Sequence, residues 1–330
     1  MTVRVGVIGA GVMGADHVRL LHGAVSSAEV VAVTDVDAAR ARALVDTVPG
    51  ARVSPDAWAL IADPGVDAVV VASHDSTHAE LTTAAVRAGK PVLCEKPLAP
   101  TVAECVEVVR ADDKAGGGLV SVGFMRRFDP SYVALKAALG EGRCGRPRMV
   151  HCVSRQVTSM PGAVSEFSVT GSAIHELDTV PWLLESPVTA VSWHAPEGGS
   201  APGLRDPQLM LLHTADGTLT TVETFLNARY GYEVRCEVVG ERGALRLTDP
   251  ALVVTHLERT RSTGYPADWR PRFADAYRLE LQAWTDAVVA GRPSPLASAR
   301  EGLTASAVAE AVIVSMREGG RTVPVSVPVP

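Results

Sequence analysis

Residues 3–14 read Val3-Arg4-Val5-Gly6-Val7-Ile8-Gly9-Ala10-Gly11-Val12-Met13-Gly14, a β-branched run that ends in a glycine loop. The run Val3–Ile8 is expected to be a strand, and the amphipathic stretch to about Leu21 a helix, so the loop joins strand to helix. There the three glycines have separate duties. Gly9 permits the tight turn, Gly11 lets backbone approach a pyrophosphate, and Gly14 lets helix and strand pack closely. The helix start, with Val12 and Met13 in its first turn, adds free N–H groups and partial positive charge for the phosphates. Asp35, 21 positions past Gly14, closes a second expected strand, Val30–Thr34. Its carboxylate can accept hydrogen bonds from both ribose hydroxyls of NAD and would repel a 2′-phosphate. Arg40 lies near enough in sequence to soften that preference for NAD over NADP.

Outward from this loop, strand and helix patterns alternate to about residue 125. Helices are expected over Ala38–Val48, His78–Ala88 and Val102–Ala115, with strands at Ala68–Ala72, Pro91–Cys94 and Leu119–Val122. A continuous apolar run such as Ala68–Ala72 suits a parallel strand covered on both faces. The pattern predicts an α/β fold opening with a Rossmann-type doubly wound parallel sheet. The rhythm then changes. A helix near Pro130–Leu139, a strand at Met149–Ser154 and a helix at Ala173–Leu184 lead into the strand-like stretches Gln208–Thr214, Thr218–Phe225, Glu233–Val239 and Leu252–Leu257. Ala215-Asp216-Gly217 and Gly240-Glu241-Arg242-Gly243 mark turns between them, and Gly198–Pro207 reads as a loop. Helices at Phe273–Val289 and Ala299–Arg317 follow. The expected division is 1–123, an NAD-binding Rossmann domain, and 124–330, an α+β domain with a largely antiparallel open sheet, to which the family resemblance given below assigns substrate binding and oligomerisation.

Composition bounds the function. The chain has 330 residues, 47% hydrophobic and 21% charged, with a net charge of −6, which argues against a nucleic-acid footprint or a polybasic membrane surface. It shows no run of about 18 uncharged apolar residues, and it enters a strand at once instead of a charged-then-apolar leader, so a cytoplasmic protein is expected. Cys94, Cys105, Cys144, Cys152 and Cys236 are scattered and never spaced Cys-x-x-Cys, which fits reduced thiols better than disulfides or a zinc site. Only four lysines stand against 27 arginines. A lysine at a site of chemistry is then of interest, because it can lose its proton and arginine cannot.

One of the four, Lys96, sits in Glu95-Lys96-Pro97 directly after the buried strand Pro91–Cys94. The carboxyl ends of strands in such a sheet face the ligand crevice, so Glu95 and Lys96 are placed where cofactor and substrate meet. The polar segment after the preceding strand puts Ser73 and His74 at the same edge. His74 and His78 have a metal-compatible spacing, but no third ligand is near in sequence, so no metal is expected. In Ile174-His175-Glu176-Leu177-Asp178, the apolar partners Ile174, Leu177, Val180, Trp182 and Leu183 put one helical side in the core. That leaves His175 to face the cleft between domains.

The order of Gly9–Gly14, Asp35, Glu95-Lys96-Pro97, the segment Val122-Gly123-Phe124-Met125-Arg126-Arg127-Phe128-Asp129 and Ile174–Asp178 resembles the Gfo/Idh/MocA oxidoreductase family. It is most similar to the inositol 2-dehydrogenase branch, and Tyr230–Glu237 and Phe273–Tyr277 extend the likeness over essentially the whole chain. The resemblance implies NAD in the first domain, a cis Lys96–Pro97 bond, and a homo-oligomer built on one face of the second-domain sheet. It also implies oxidation of a secondary ring hydroxyl of a cyclitol, sugar or amino-sugar. His175 would be the general base and Lys96 the group that hydrogen-bonds the reacting oxygen. Arg126, Gln156, Gly171, His175, Tyr232 and Tyr277 would line the substrate. Gly171 stands where that branch usually has an aspartate, and Ser154 and Gln156 where it has histidine and asparagine. The missing side chain is expected to open room for a bulkier, modified substrate. Two other functions stay open: an NAD(P)H-dependent ketosugar reductase, and a catalytically inactive nucleotide-binding regulator. Gly171 favours the regulator; the presence of Lys96 and His175 speaks against it.

Overall fold

The structure, a computed structural model, describes residues 2–199, 201–248 and 253–330. Val3–Ile8 (β1), Ala28–Thr34 (β2), Arg52–Val53 (β3), Ala68–Val71 (β4), Val92–Glu95 (β5) and Val120–Gly123 (β6) form a parallel sheet in the order β6-β5-β4-β1-β2-β3. β4, β5 and β6 are buried at every residue, as strands covered on both faces must be. The connections run through Val12–Gly23 (α1), Ala38–Val45 (α2), Ala57–Ala62 (α3), His78–Arg87 (α4) and Val102–Lys114 (α5). Asp37 caps α2 by accepting from the Ala39 and Arg40 N–H groups, and Thr101 with Glu104 closes a capping box on α5. The doubly wound sheet expected from the sequence is present. β3 and α3 were not expected; two and six residues are too short to show a period.

After Pro130–Gly140 (α6) comes the long strand Pro147–Arg155 (β7), then Ser165–Phe167 (α7), a π-helical turn Ser168–Ala173, and Ile174–Leu184 (α8). Val188–His194 (β8), Gln208–Thr214 (β9), Leu219–Phe225 (β10), Glu233–Gly240 (β11) and Ala244–Arg246 (β12) complete a second sheet. Val254–Leu257 (β13) and Thr260–Thr263 (β14) make a separate hairpin; Leu252, expected to start that strand, lies outside the described residues. Trp269–Val289 (α9), Ala297–Ser298 (β15), Ala299–Arg317 (α10) and Val323–Pro324 (β16) close the chain. The second sheet has the order β12-β11-β7-β10-β9-β8-β16, and only β10 with β7 is parallel. Burial alternates along β7, β9 and β10, which buries one face and leaves the other half-exposed.

The chain forms two compact units that interleave in sequence. One runs through Phe128 and regains Asp275–Ser306 and Val327–Pro330; the other holds Asp129–Ala274 and Ala307–Ser326. The crossing falls in α9 between Ala274 and Asp275, just past Phe273, whose φ of −117° and ψ of 19° break the helix. β15 then pairs antiparallel with β6. The division at 123/124 expected from the sequence is contiguous, whereas the compact units are not.

Candidate functional site

The glycine loop has a different answer at each glycine. Gly9 adopts φ +103°, and a Cβ there would lie 2.4 Å from the Ala72 carbonyl oxygen and 2.7 Å from the Ser73 nitrogen. The loops after β1 and β4 therefore touch backbone to backbone. A Cβ on Gly14 would lie 1.8 Å from the Gly9 oxygen, while one on Gly11 would meet nothing within 4 Å. Gly11 is the N-cap of α1, which has no side-chain cap and no acid in its first turn. Val12 beside it is exposed and Met13 half-buried. Asp35 Oδ2 accepts the Ala10 N–H at 2.6 Å and Oδ1 the Asp37 N–H at 2.8 Å, so the carboxylate is pinned against the loop. Arg40 is engaged elsewhere, with its Nε 3.3 Å from Asp37. An open Gly11, an uncapped helix start and a fixed acid beyond β2 fit a dinucleotide with unsubstituted ribose.

At the end of β5, Glu95 is 4% exposed and His17 is fully buried; the His17 Nε2 and Glu95 Oε1 are 2.7 Å apart. Glu95 Oε2 accepts the Lys96 N–H at 3.2 Å. Burial alone would raise the Glu95 carboxyl, but the His17 hydrogen bond, with Lys96 and His78 nearby, holds it below the usual carboxylate range. A Cβ on Gly123 would come within 3.3 Å of that carboxylate, so glycine there gives it room. The Lys96–Pro97 bond is cis, as the resemblance implied. Lys96 is half-buried. Burial pushes its ammonium below the ordinary lysine value and the Arg126 guanidinium adds to this, while Glu95 opposes. Arg126 itself is 1% exposed, in the turn Met125–Phe128 after β6.

Ser73 and His74 follow β4 at the same edge. Ser73 Oγ is 2.7 Å from Thr77 Oγ1, and His74 is exposed with Nδ1 2.9 Å from Ser76 Oγ. His78 points elsewhere: it is 2% exposed and lies against backbone carbonyls. Among the described residues no group of three or more His, Cys, Asp or Glu gathers as a metal site. Tyr277, expected at the substrate, belongs to the first compact unit and is 3% exposed. Its ring meets His17 edge-on at 6.0 Å. The sequence offers no motif for His17, and His78 enters there only as half of a metal-compatible pair with His74. The available signal was a polar residue in line with an apolar face: His17 with Gly14, Val18 and Leu21, His78 with Leu81 and Ala85.

In the second unit, His175 is the second residue of α8 and 8% exposed. The expectation of a one-sided helix needs correcting, since Glu176, Asp178 and Thr179 are buried as well as Ile174, Leu177 and Val180, while Trp182 is only half-buried. Before α8 the π-helical turn widens the coil, a feature frequent at functional sites. The room expected at Gly171 is not there. A Cβ at 171 would lie 2.7 Å from the half-exposed Phe167 ring, which takes that space. Gln156 Nε2 reaches Ser172 Oγ at 3.4 Å, and Ser154 Oγ is also 3.4 Å from Ser172 Oγ. Tyr232 is 8% exposed, edge-on to Phe273 at 6.3 Å. Because the Phe167 ring has an exposed side, Gly171→Ala should displace it at a cost of about 1–2 kcal/mol. If Gly171 lines the substrate, as the resemblance implies, the expected outcome is a substrate KM changed several-fold with kcat little altered, measured by initial rates.

Residues 3–124 match the oxidoreductase family's NAD-binding Rossmann fold and residues 136–327 its C-terminal alpha/beta domain. The chain belongs to the Gfo/Idh/MocA oxidoreductase family. This Gfo/Idh/MocA protein is 56% identical over 333 aligned residues to inositol 2-dehydrogenase 2 of Paenarthrobacter aurescens, covering 99% of each chain. It is 50% identical to inositol 2-dehydrogenase 1 of Saccharopolyspora erythraea, covering 97% of this chain and 95% of that one. Among solved structures it is similar to myo-inositol dehydrogenase from Lactobacillus casei in complex with NAD(H) and myo-inositol. The TM-score is 0.95 and the identity 35%, over 100% of this chain and 98% of that chain. The Gfo/Idh/MocA chain is an NAD-dependent oxidoreductase. No helix among its described residues is long and apolar enough to cross a membrane.

Proposed function

We propose that this enzyme oxidises a secondary ring hydroxyl of a cyclitol, as an inositol 2-dehydrogenase. The observation that carries this reading is Lys96 on the carboxyl edge of the sheet that bears the Gly9–Gly14 loop, in a chain 56% identical to an inositol 2-dehydrogenase. When bound, NAD supplies the nicotinamide that takes up hydride from the carbinol carbon. Lys96 donates a hydrogen bond to the reacting oxygen and offsets the charge that develops there. Burial, with Arg126 nearby, lowers its hold on its proton, which favours passing one on when the oxygen changes charge. His175 accepts the hydroxyl proton. Arg126, Gln156, Tyr232 and the Gly171 backbone orient the ring, and Ser73, His74 and Glu95 hold the cofactor side. The burial of Tyr277 against His17 supports a packing role for it under the cofactor helix.

Because Phe167 fills the space at Gly171, an unmodified cyclitol is the first candidate and a bulkier ring the second. The test is the absorbance of reduced nicotinamide across a panel of inositols and of amino- and glycosyl-substituted rings. An unmodified inositol should be oxidised at least as fast as any substituted one, with NAD preferred over NADP. Tight NAD binding without turnover of any member would favour the regulator instead. The half-exposed face of the second sheet, carrying Val153, Leu209, Leu211 and Phe225, supports assembly as a homo-oligomer. Composition and thiol pattern support a cytoplasmic place.

A further inference from the structure

One buried side chain joins the two loops that carry this function. His78, the first residue of α4, is 2% exposed. Its Nδ1 lies 2.7 Å from the Pro97 carbonyl oxygen and its Nε2 3.2 Å from the Ser73 carbonyl oxygen. A carbonyl oxygen only accepts, so both contacts are hydrogen bonds only if both ring nitrogens carry protons. A neutral imidazole has one N–H and would set a lone pair against the other oxygen. We propose that His78 is held as an imidazolium that clamps the Ser73–His74 loop to the Lys96–Pro97 turn, making it a positioning residue for Lys96. The role in catalysis rests on Lys96 acting as proposed above; the clamp itself does not.

The titratable groups acting on the ring are Cys94 and Glu95 of β5; beyond them, Lys96 acts on Glu95, Asp75 on Lys96, and Cys105 of α5 meets Cys94. Burial alone would lower the imidazolium's hold on its proton. The Cys94 sulfur and the two carbonyls outweigh that, and His78 is pushed up from 6.5 to about 9. A folded value above the ordinary one stabilises the fold fully below about pH 6.5, and this contribution is lost as pH rises through about 9. Above that point one contact turns repulsive, and the turn bearing Lys96 is released from the cofactor loop.

The experiment is imidazole ¹⁵N spectroscopy of the full chain with labelled histidine, assigning His78 through contacts to Pro97 and Ser73. Both ring nitrogens should be protonated at pH 7.5, with a midpoint near 9. A neutral ring at pH 7.5 overturns the proposal, and this reading needs no variant to fold. His78→Gln keeps a donor but cannot serve both carbonyls. It should weaken NAD binding and lower kcat each by roughly tenfold at pH 7.5, the worth of one lost charged hydrogen bond. Unchanged NAD affinity and kcat in that variant would remove the positioning role even with a charged ring. If no cyclitol is turned over, the ring titration and the NAD affinity still decide the clamp.

Discussion

Replacing Lys96 with methionine should lower kcat for cyclitol oxidation by about a thousandfold while NAD affinity changes only a few-fold. Methionine matches the length of the lysine stem and keeps its packing, but it has neither charge nor donor. The lost factor corresponds to about 4 kcal/mol at the transition state. That suits one charged hydrogen bond that strengthens as the alcohol oxygen gains negative charge. Arginine should not rescue it. Arg126 is already close enough to depress Lys96, a second guanidinium would face that repulsion, and it cannot give up a proton. Steady-state rates against pH add a second readout. The limb that reflects the depressed lysine in the unmodified enzyme should vanish in Lys96→Met. A kcat within tenfold of the unmodified protein would make Lys96 a turn residue with no part in the chemistry.

The parts of the fold that were legible are those whose signal is local. β1, the glycine loop and Asp35 lie within 33 consecutive residues and carry their own pattern of period and turn. β4 and β5 were legible because burial on both faces demands unbroken apolar runs. The interleaving of the units was not, since the pairing of Ala297 with Val122 depends on contacts 175 positions apart. The helix α9 shows the limit clearly. Its pattern was read from Phe273, but it begins at Trp269 and bends at Phe273, whose ring packs with Arg272 and Tyr232. At the site, residues borne on motifs were found and those acting from beneath were not. His17 and His78 look like ordinary helix residues until the carboxylate and carbonyls they meet, 78 and 19 positions away, are known. Gly171 failed the other way. An absent side chain was read as empty space, when Phe167 had filled it.

The three glycines of the opening loop make a second large-effect prediction because the structure assigns them unlike costs. Gly14→Ala would set a methyl 1.8 Å from the Gly9 carbonyl oxygen, a backbone atom that no rotamer change can move aside. α1 would have to lift from β1, and His17, three residues further along α1, would be drawn from Glu95. The expected cost is about 3 kcal/mol, seen as a Tm lower by roughly 10 °C, with NAD binding lost along with the packing. Gly11→Ala should separate the two effects. Its φ of −71° and ψ of −167° are open to any residue, and the added methyl meets no protein atom within 4 Å. The fold should then lose no more than about 1 kcal/mol, the usual penalty of alanine at an N-cap. NAD affinity should nonetheless fall by tenfold or more, because the methyl occupies the space through which the pyrophosphate reaches the helix N–H groups. Calorimetric titration with NAD alongside thermal unfolding reads both quantities on each variant. Equal NAD affinity in Gly11→Ala and the unmodified chain would place the dinucleotide away from this helix start, and the assignment of Asp35 to its ribose would fall with it.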